Sequence, residues 1–393
     1  MSVAMKPMIE LIVVGQGWDP HGSEEFEFGW KMLLGALPTA EVVHTHANDL
    51  PSLWRAAKDV VAARPALSAQ AQVLMLSHPH LLLAPNCLEQ LSAACAQTPL
   101  HNGIRHFLVQ ALDSRSPETS SALDYSTLRG LERFTRALSS ANQLTTIGLH
   151  RLVQMCCVST LREQLDLTAL PAVLVRNAFA HDYADYHLGT REEVIPHIPQ
   201  ATHRILDVGG GAGGFLRALK AKRKLETHLA ELSPQACETA KAHVDHVWQG
   251  SFLSMPTSTR FDCITFLDVL EHTAAPVDWL EHASALLSEQ GCVVASIPNV
   301  GHWSVVADLL EGRWDYAPVG IHCITHLRFF TRHTIEKVFE QANMQIEKIQ
   351  AVHLEPPQWW QASTMGNRLE IDDDSLRTYA YILRARPRRE PAG

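Results

Sequence analysis

The chain has 393 residues, 46% of them hydrophobic and 19% charged, with a formal net charge of −9. At about 150 residues per domain this is too long for one core and implies two or three. The acidic balance excludes a broad phosphate-neutralising face, and no apolar run approaches the roughly 20 residues that cross a bilayer, so we expect neither a nucleic-acid partner nor a membrane span.

The eight cysteines include no CxxC pair and no zinc-like spacing, although Cys156 and Cys157 are adjacent. They read as reduced thiols of a cytoplasmic protein. The opening MSVAMKPMIELIVV has one lysine and no small-residue cleavage site, so it is expected to enter a first strand rather than act as a signal peptide.

In chain order, strand Ile9 to Val14, helix Phe26 to Leu37, strand Ala40 to His44, helix Leu53 to Ala63, strand Val73 to Leu76 and helix Cys87 to Cys95 alternate. That alternation predicts an α/β domain built on a parallel sheet. From Ser116 to Leu165 the pattern turns helical, with Leu128, Leu131, Phe134 and Leu138 at core-packing spacing. The join runs through the Pro171 to Pro199 region, which sets a first domain at 1–175 and a second at 176–393.

The stretch VLMLSHPHLLLAPNCLEQL resembles the segment of GT-A glycosyltransferases in which a strand ends in an acidic DxD pair that holds a metal and a sugar nucleotide. Here Ser77, His78, Pro79 and His80 occupy those positions, and of the acids expected after the first strand only Asp19 is present. The resemblance therefore implies a glycosyltransferase-like domain without its usual metal site. His78 and His80 share one face of an extended segment, but with no third ligand we expect no metal.

The second half opens on ILDVGGGAGG, a strand, a glycine turn and a helix. Such a turn lets a ligand approach the backbone and aims free N–H groups at it. The spacing is ambiguous: Gly209, Gly211 and Gly214 fit a dinucleotide fingerprint, whereas Asp207 with Gly209, Gly211 and Gly213 fits a loop that holds S-adenosylmethionine. Beyond it come strand His228 to Glu231, helix Pro234 to Ala242, a short strand at His246 to Trp248, strand Phe261 to Leu267, helix Asp278 to Leu287 and strand Gly291 to Ile297. Helix Thr334 to Ala342, strand Gln345 to Val352, a Pro/Trp-rich excursion at Pro356 to Trp360 and strand Tyr379 to Arg384 complete the chain. Glu231, at a strand end, is placed to take both hydroxyls of a ribose, as in either cofactor class. The basic cluster Lys220, Lys222, Arg223 and Lys224 closes a helix, where positive charge suits the dipole.

Taken together, DVGGGAGG, Glu231, FDCITFLDVLEH and CVVASIPN resemble a class I S-adenosylmethionine-dependent methyltransferase over about Asn177 to Val352. The following NVGHWSVVADLLEGRWDYAPVGIHCITHLRFFT resembles a subgroup found beside or fused to glycosyltransferases. The resemblance implies a Rossmann-like seven-stranded α/β sheet preceded by the second α/β domain and its helical extension. It puts Asp207, Gly209, Gly211 and Gly213 around the methionyl and ribose portions of the cofactor and Glu231 on the ribose. Asp268 would face the methionyl amino group, flanked by Val269 and Leu270. Tyr183, Tyr186, His187 and Arg191, in HDYADYHLGTREE, resemble a lead-in helix that closes over the cofactor.

Two departures stand out. Ser251, before Phe252, stands where relatives carry an acid for the adenine amino group; a hydroxyl or a backbone carbonyl can substitute. Cys323 and Ile324 stand where relatives carry Asp and Arg. For a hydroxyl acceptor, histidine is the base matched to neutral pH, and His272, His302 and His326 are the candidates. Arg313 and Arg328 are candidates for an anionic or sugar-nucleotide substrate. The expected activity is methyl transfer, at oxygen, to a small molecule or a glycan or sugar-nucleotide precursor. The alternatives are a catalytically inactive binding module that keeps the fold, and an NAD-dependent oxidoreductase.

Overall fold

The computed structural model describes residues 9–16, 24–78, 81–84, 86–97, 106–112, 127–130, 153–163, 172–182, 189–256, 258–356, 360 and 372–388. The chain divides into two compact units, residues 1–184 with 315–320, and residues 185–314 with 321–393. The expected join at 175 falls inside a strand, Ala172–Asp182, that belongs whole to the first unit.

The first unit runs β1 (Ile9–Val14), α1 (Glu24–Ala36), β2 (Glu41–His44), α2 (Leu50–Ala62), β3 (Gln72–Leu76), β4 (Leu81–Leu83), α3 (Cys87–Gln97), β5 (His106–Leu112), β6 (Val153–Cys157), α4 (Val158–Arg162) and β7 (Ala172–Asp182). They form a seven-stranded sheet of order β2-β1-β3-β6-β5-β7-β4. Its beginning matches expectation, with β1 parallel to β2 and β3. Elsewhere the sheet is mixed: β5 and β7 are parallel, but β6 runs antiparallel to β3 and β5, and β4 antiparallel to β7, which corrects the expectation of a parallel sheet. Apolar runs mark which residues are strands, but strand direction is set by pairing between distant segments.

A second correction concerns the stretch read as helical to Leu165. Val153–Cys157 is a buried strand within it, and a short apolar run has no period that separates a buried strand from a buried helix. Leu131, Phe134 and Leu138, like Asp19, Pro79 and His80, lie outside the described residues. All seven cysteines in the described residues whose state is given are free thiols. Among the described residues no helix is long and apolar enough to cross a membrane.

The second unit begins with a 3-10 helix, Glu192–His197. It continues with β8 (Arg204–Val208), α5 (Gly214–Lys222), β9 (Glu226–Glu231), α6 (Pro234–Ala240), β10 (His246–Gln249), β11 (Phe261–Leu267), α7 (Pro276–Leu286), β12 (Leu287–Pro298), α8 (Trp303–Leu310), α9 (Arg332–Gln341), β13 (Met344–His353), α10 (Asp373–Arg377) and β14 (Thr378–Pro387). The order β10-β9-β8-β11-β12-β14-β13 has five parallel strands, then β14 antiparallel to both β12 and β13. This is the seven-stranded sheet expected from the sequence.

Both faces of this sheet are covered, as parallel strands require. Leu206 and Val208 of β8 join Ile264 and Phe266 of β11 in one buried cluster, with Leu280 of α7 and Ile335 of α9. The alternate residues, Ile205 and Cys263, enter the opposite cluster with Phe215, Leu216 and Leu219. By the same alternation Asp207 and Thr265 point to the α5 side, and they are register partners. The basic residues closing α5 are engaged locally: Lys220 pairs with Asp245 at 2.7 Å, and Arg223 donates to the carbonyls of Ile198, Pro199 and Gln200.

Candidate functional site

The loop between β8 and α5 is built by its glycines and by two acids. Gly209, Gly211 and Gly213 all have positive φ, at 69°, 55° and 76°, a region that side chains seldom adopt. Gly209 N–H donates to the Ala230 carbonyl at 2.8 Å, which fastens the loop to the end of β9. Glu231 fastens the other side. Its Oε2 accepts from Gly211 N–H at 2.9 Å, and its Oε1 accepts from the N–H groups of Leu232 and Ser233 at 2.7 and 2.8 Å. With two donors on Oε1 and one on Oε2, the carboxylate keeps one accepting position, on Oε2, for a hydroxyl.

Asp207 lies beneath this loop and is buried. Its Oδ1 accepts from the Thr265 hydroxyl at 2.6 Å, while Oδ2 has no hydrogen-bond partner. Burial pushes the carboxyl up to about 7 against the opposing pull of the Thr265 hydrogen bond. A Cβ at Gly210 would stand 2.1 Å from Asp207 Oδ2 and 2.8 Å from Leu229 Cδ1. Gly210 is thus required as well, although neither glycine spacing read in the sequence includes it.

Asp268, just past the end of β11, has φ 57°. Its Oδ1 accepts from the Ser296 hydroxyl at 2.8 Å and its Oδ2 from Arg191 Nη1 at 2.5 Å, while Arg191 Nη2 donates to Ser296 Oγ at 2.9 Å. Arg191 also pairs with Glu193 at 2.6 Å. Burial opposes the charge of this guanidinium, but Asp268 and Glu193 together hold it firmly protonated. The resemblance had put Arg191 on a lead-in helix. The structure instead gives it a left-handed φ of 45° immediately before the 3-10 helix, with His181 and Asp182 in β7; Tyr183, Tyr186 and His187 lie outside the described residues. Val269 closes the gap between the loops, with Cγ2 only 2.8 Å from where a Gly209 Cβ would stand.

At the end of β10, Ser251 is exposed and its hydroxyl makes no capping bond. Its carbonyl already accepts from Trp248 Nε1 at 3.3 Å and from the Ser254 hydroxyl at 2.7 Å. Of the two substitutes for an acid here, the hydroxyl is the one left open. Phe252 turns inward and packs edge-on to Phe266 at 5.5 Å. Leu232, next to Glu231, is 65% exposed and leaves an apolar surface beside the ribose-type acid that the sequence reading overlooked.

The three histidines part company. His272 and His326 meet edge to face, with ring centroids 4.6 Å apart. Glu271 completes this group, and its ligand atoms and theirs all lie within 4.8 Å of one another, close enough to hold a cation. His272 Nδ1 lies 3.0 Å from Thr325 Oγ1, itself 3.3 Å from Cys323 Sγ, and His326 Nδ1 lies 2.8 Å from the Ile321 carbonyl. Glu271 is buried with neither oxygen hydrogen-bonded. Burial, and then the charge of Asp268, hold its carboxyl well above the usual carboxylate range. His302 instead caps α8, with Nδ1 2.8 Å from Ser304 Oγ and Nε2 3.4 Å from the Leu354 carbonyl, and burial lowers its pKa to about 4. Arg328 spends its guanidinium on the carbonyls of Leu327 and Ala274. Arg313 donates its N–H to the Asp308 carbonyl at 2.9 Å.

The sequence singled out Asp207, Glu231, Asp268 and the histidines because each lies in a recognisable string. It missed Gly210, Thr265, Glu271, Ser296 and Thr325. All five lie inside such strings, but nothing local marks them out, because their parts in the site come from steric, cross-strand and loop contacts.

Residues 179–349 match the family model described as Methyltransferase domain. A ubiquinone biosynthesis O-methyltransferase of Cereibacter sphaeroides is 25% identical over 173 residues, 41% of this chain and 68% of that protein. The mitochondrial ubiquinone biosynthesis O-methyltransferase of Schizosaccharomyces pombe is 29% identical over 179 residues, 42% of this chain and 63% of that protein. Among solved structures, an S-adenosylmethionine-dependent methyltransferase from Clostridium acetobutylicum aligns with a TM-score of 0.35 at 13% identity, over 52% of this chain and 92% of that one.

Proposed function

Because the C-terminal half of the chain is a class I S-adenosylmethionine-dependent methyltransferase domain, we propose that it methylates a hydroxyl oxygen of a small molecule or of a glycan or sugar-nucleotide precursor, with His272 as the base. The observation that carries this reading is placement. Leu270–His272 form a 3-10 turn capped by Val269, one residue past Asp268, so His272 lies four positions after the residue paired with Arg191.

The site residues fit the cofactor. Arg191 and Asp268 are a cation and an anion side by side, the complement of an amino-acid zwitterion. Glu231 Oε2 has an accepting position left for a ribose hydroxyl, Leu232 offers an apolar surface for the base, and the Ser251 hydroxyl is open to the adenine amino group. The loop cannot carry a side chain at Gly210 without displacing Asp207. Bound there, S-adenosylmethionine supplies a methyl group already activated on a sulfonium sulfur.

What remains for the protein is alignment and proton handling. Holding two reactants in line is worth roughly 7 to 11 kcal/mol. His272 takes the hydroxyl proton at Nε2 when its Nδ1 hydrogen is donated to Thr325. His326, tied to the Ile321 carbonyl, holds the edge of the His272 ring in place. Glu271 keeps its proton through burial and leaves the neighbourhood less negative than two ionised acids would. The names of the two ubiquinone-pathway relatives support oxygen as the acceptor atom. The dinucleotide alternative drops out, since a buried acid at Asp207 and the Asp268 to His272 turn suit a sulfonium cofactor. In the first unit, Ser77 and His78 follow β3 in place of an acidic pair; we read that unit as glycosyltransferase-like without the usual metal site.

Incubation with methyl-labelled cofactor and fractionated cell extract, followed by mass spectrometry, is the test. The label should appear as an O-methyl group. His272→Ala should lower the labelling rate by about 10²- to 10⁴-fold, with cofactor affinity by calorimetry unchanged. Label on nitrogen or carbon would overturn the assignment of oxygen, and an undiminished rate in the variant would remove His272 as the base.

A further inference from the structure

Away from the glycine loop, the other end of the same sheet carries a second group of nitrogen and oxygen donors. β9 and β10 are parallel neighbours whose register sets His246 opposite His228. Glu226 precedes His228 by two positions, and the pleat puts both on one face. His228 Nε2 lies 2.8 Å and His246 Nε2 lies 3.4 Å from the same oxygen, Glu226 Oε1. All three ligand atoms lie within 4.8 Å of one another.

The surroundings hold the group in this arrangement. The two imidazoles stack with centroids 4.3 Å apart, and Phe261 meets His228 edge-on at 5.0 Å. Arg204 grips the other carboxylate oxygen, Oε2, at 2.9 Å, leaving Oε1 turned toward the rings. His228 is buried, Glu226 half-buried and His246 exposed, so the group is anchored on one side and open to solvent on the other.

We propose that Glu226, His228 and His246 form a binding site for a divalent transition cation of borderline softness, of which zinc is the probe. Two imidazole nitrogens and one carboxylate oxygen are a zinc donor set, and the open side leaves the fourth position to water. Magnesium or calcium would call for an all-oxygen set. Burial lowers the pKa of the His228 ring, which favours the neutral form that binds a metal. Arg204 acts on the carboxylate from outside, orienting it as second-shell groups do, and its charge makes the site weaker than one in neutral surroundings.

The consequence is mechanical. β10 is an edge strand of four residues, and a cation would clasp its first residue to β9. Glu231, at the other end of β9, is roughly 10 Å along the strand from His228 and roughly 16 Å from Glu226 at about 3.3 Å per residue. The cation would therefore steady the strand that leads to Ser251 without touching the cofactor.

Zinc titration of the full chain by calorimetry, with thermal unfolding alongside, tests this. Glu271, His272 and His326 are a second group of donors, so the number of sites is read as well as the affinity. His246→Ala, at an exposed position, should remove one zinc equivalent or weaken it at least about tenfold, and should reduce the zinc-dependent rise in the unfolding temperature. His333→Ala, at another exposed histidine, should leave both intact. Unchanged stoichiometry and affinity in His246→Ala would overturn the proposal and leave the three residues as an ion-pair cluster at a strand edge.

Discussion

Asp207 and Asp268 show how far environment separates two copies of one residue. Asp268 is partly exposed and shared between Ser296 and the Arg191 guanidinium. Asp207 has one hydroxyl for company, and burial holds its carboxyl at about 7 rather than 3.8. A pKa raised on folding means that the folded state binds the proton more tightly, so the stability is present in full below about pH 4 and is lost as the pH rises through 7. Asp207→Asn removes that dependence. Relative to the parent, the variant should gain stability progressively between pH 4 and 7, approaching roughly 4 kcal/mol above pH 7, as measured by urea unfolding at pH 5 and pH 8. A constant difference between the two proteins across that range would show that Asp207 titrates normally. Its sequence position marked the residue as important, but its proton affinity depends on Thr265 and on the helix that covers it, which no local string records.

At the scale of elements, the informative unit is the strand, turn and helix from β8 to α5. Most of it was legible: an apolar run, a glycine cluster and an amphipathic helix can fold in few ways. What the string left open was which glycines are needed and why. Gly209 and Gly213 are held at positive φ, whereas Gly210 is needed because a Cβ would collide with Asp207 Oδ2. Gly210→Ala should weaken S-adenosylmethionine binding by at least about tenfold, or 1.4 kcal/mol, by calorimetry. Gly35→Ala, where a Cβ meets nothing within 4 Å, should leave it unchanged. Equal affinities in the two variants would count against the collision. The neighbouring elements were less legible. Arg191 was expected on a helix, yet it reaches Asp268 from a left-handed residue, a conformation that local propensity does not signal for arginine. Val153–Cys157 was expected in a helical stretch and is a strand, because burial on both faces erases the period that tells the two apart.

At the scale of the whole molecule, the division into two compact units predicts how the protein melts. Among the described residues, those proposed to hold the cofactor all lie in the unit of residues 185–314 and 321–393. In calorimetry we expect two thermal transitions, of which S-adenosylmethionine raises one, by about 2.7 kcal/mol of stability at a hundred times its Kd. A single transition that shifts as a whole would mean that the units unfold together. By itself the sequence determined the second sheet, its glycine loop and the class of cofactor, because strand, turn and helix patterns are local and the acids sit at fixed places along them. Only the tertiary structure decided the mixed directions of the first sheet, the assignment of residues 315–320 to the first unit, the pairing of Arg191 with Asp268, and the meeting of Glu271, His272 and His326. Each of these joins residues far apart in the chain, and their proximity is fixed by burial and strand pairing rather than by any neighbour in sequence.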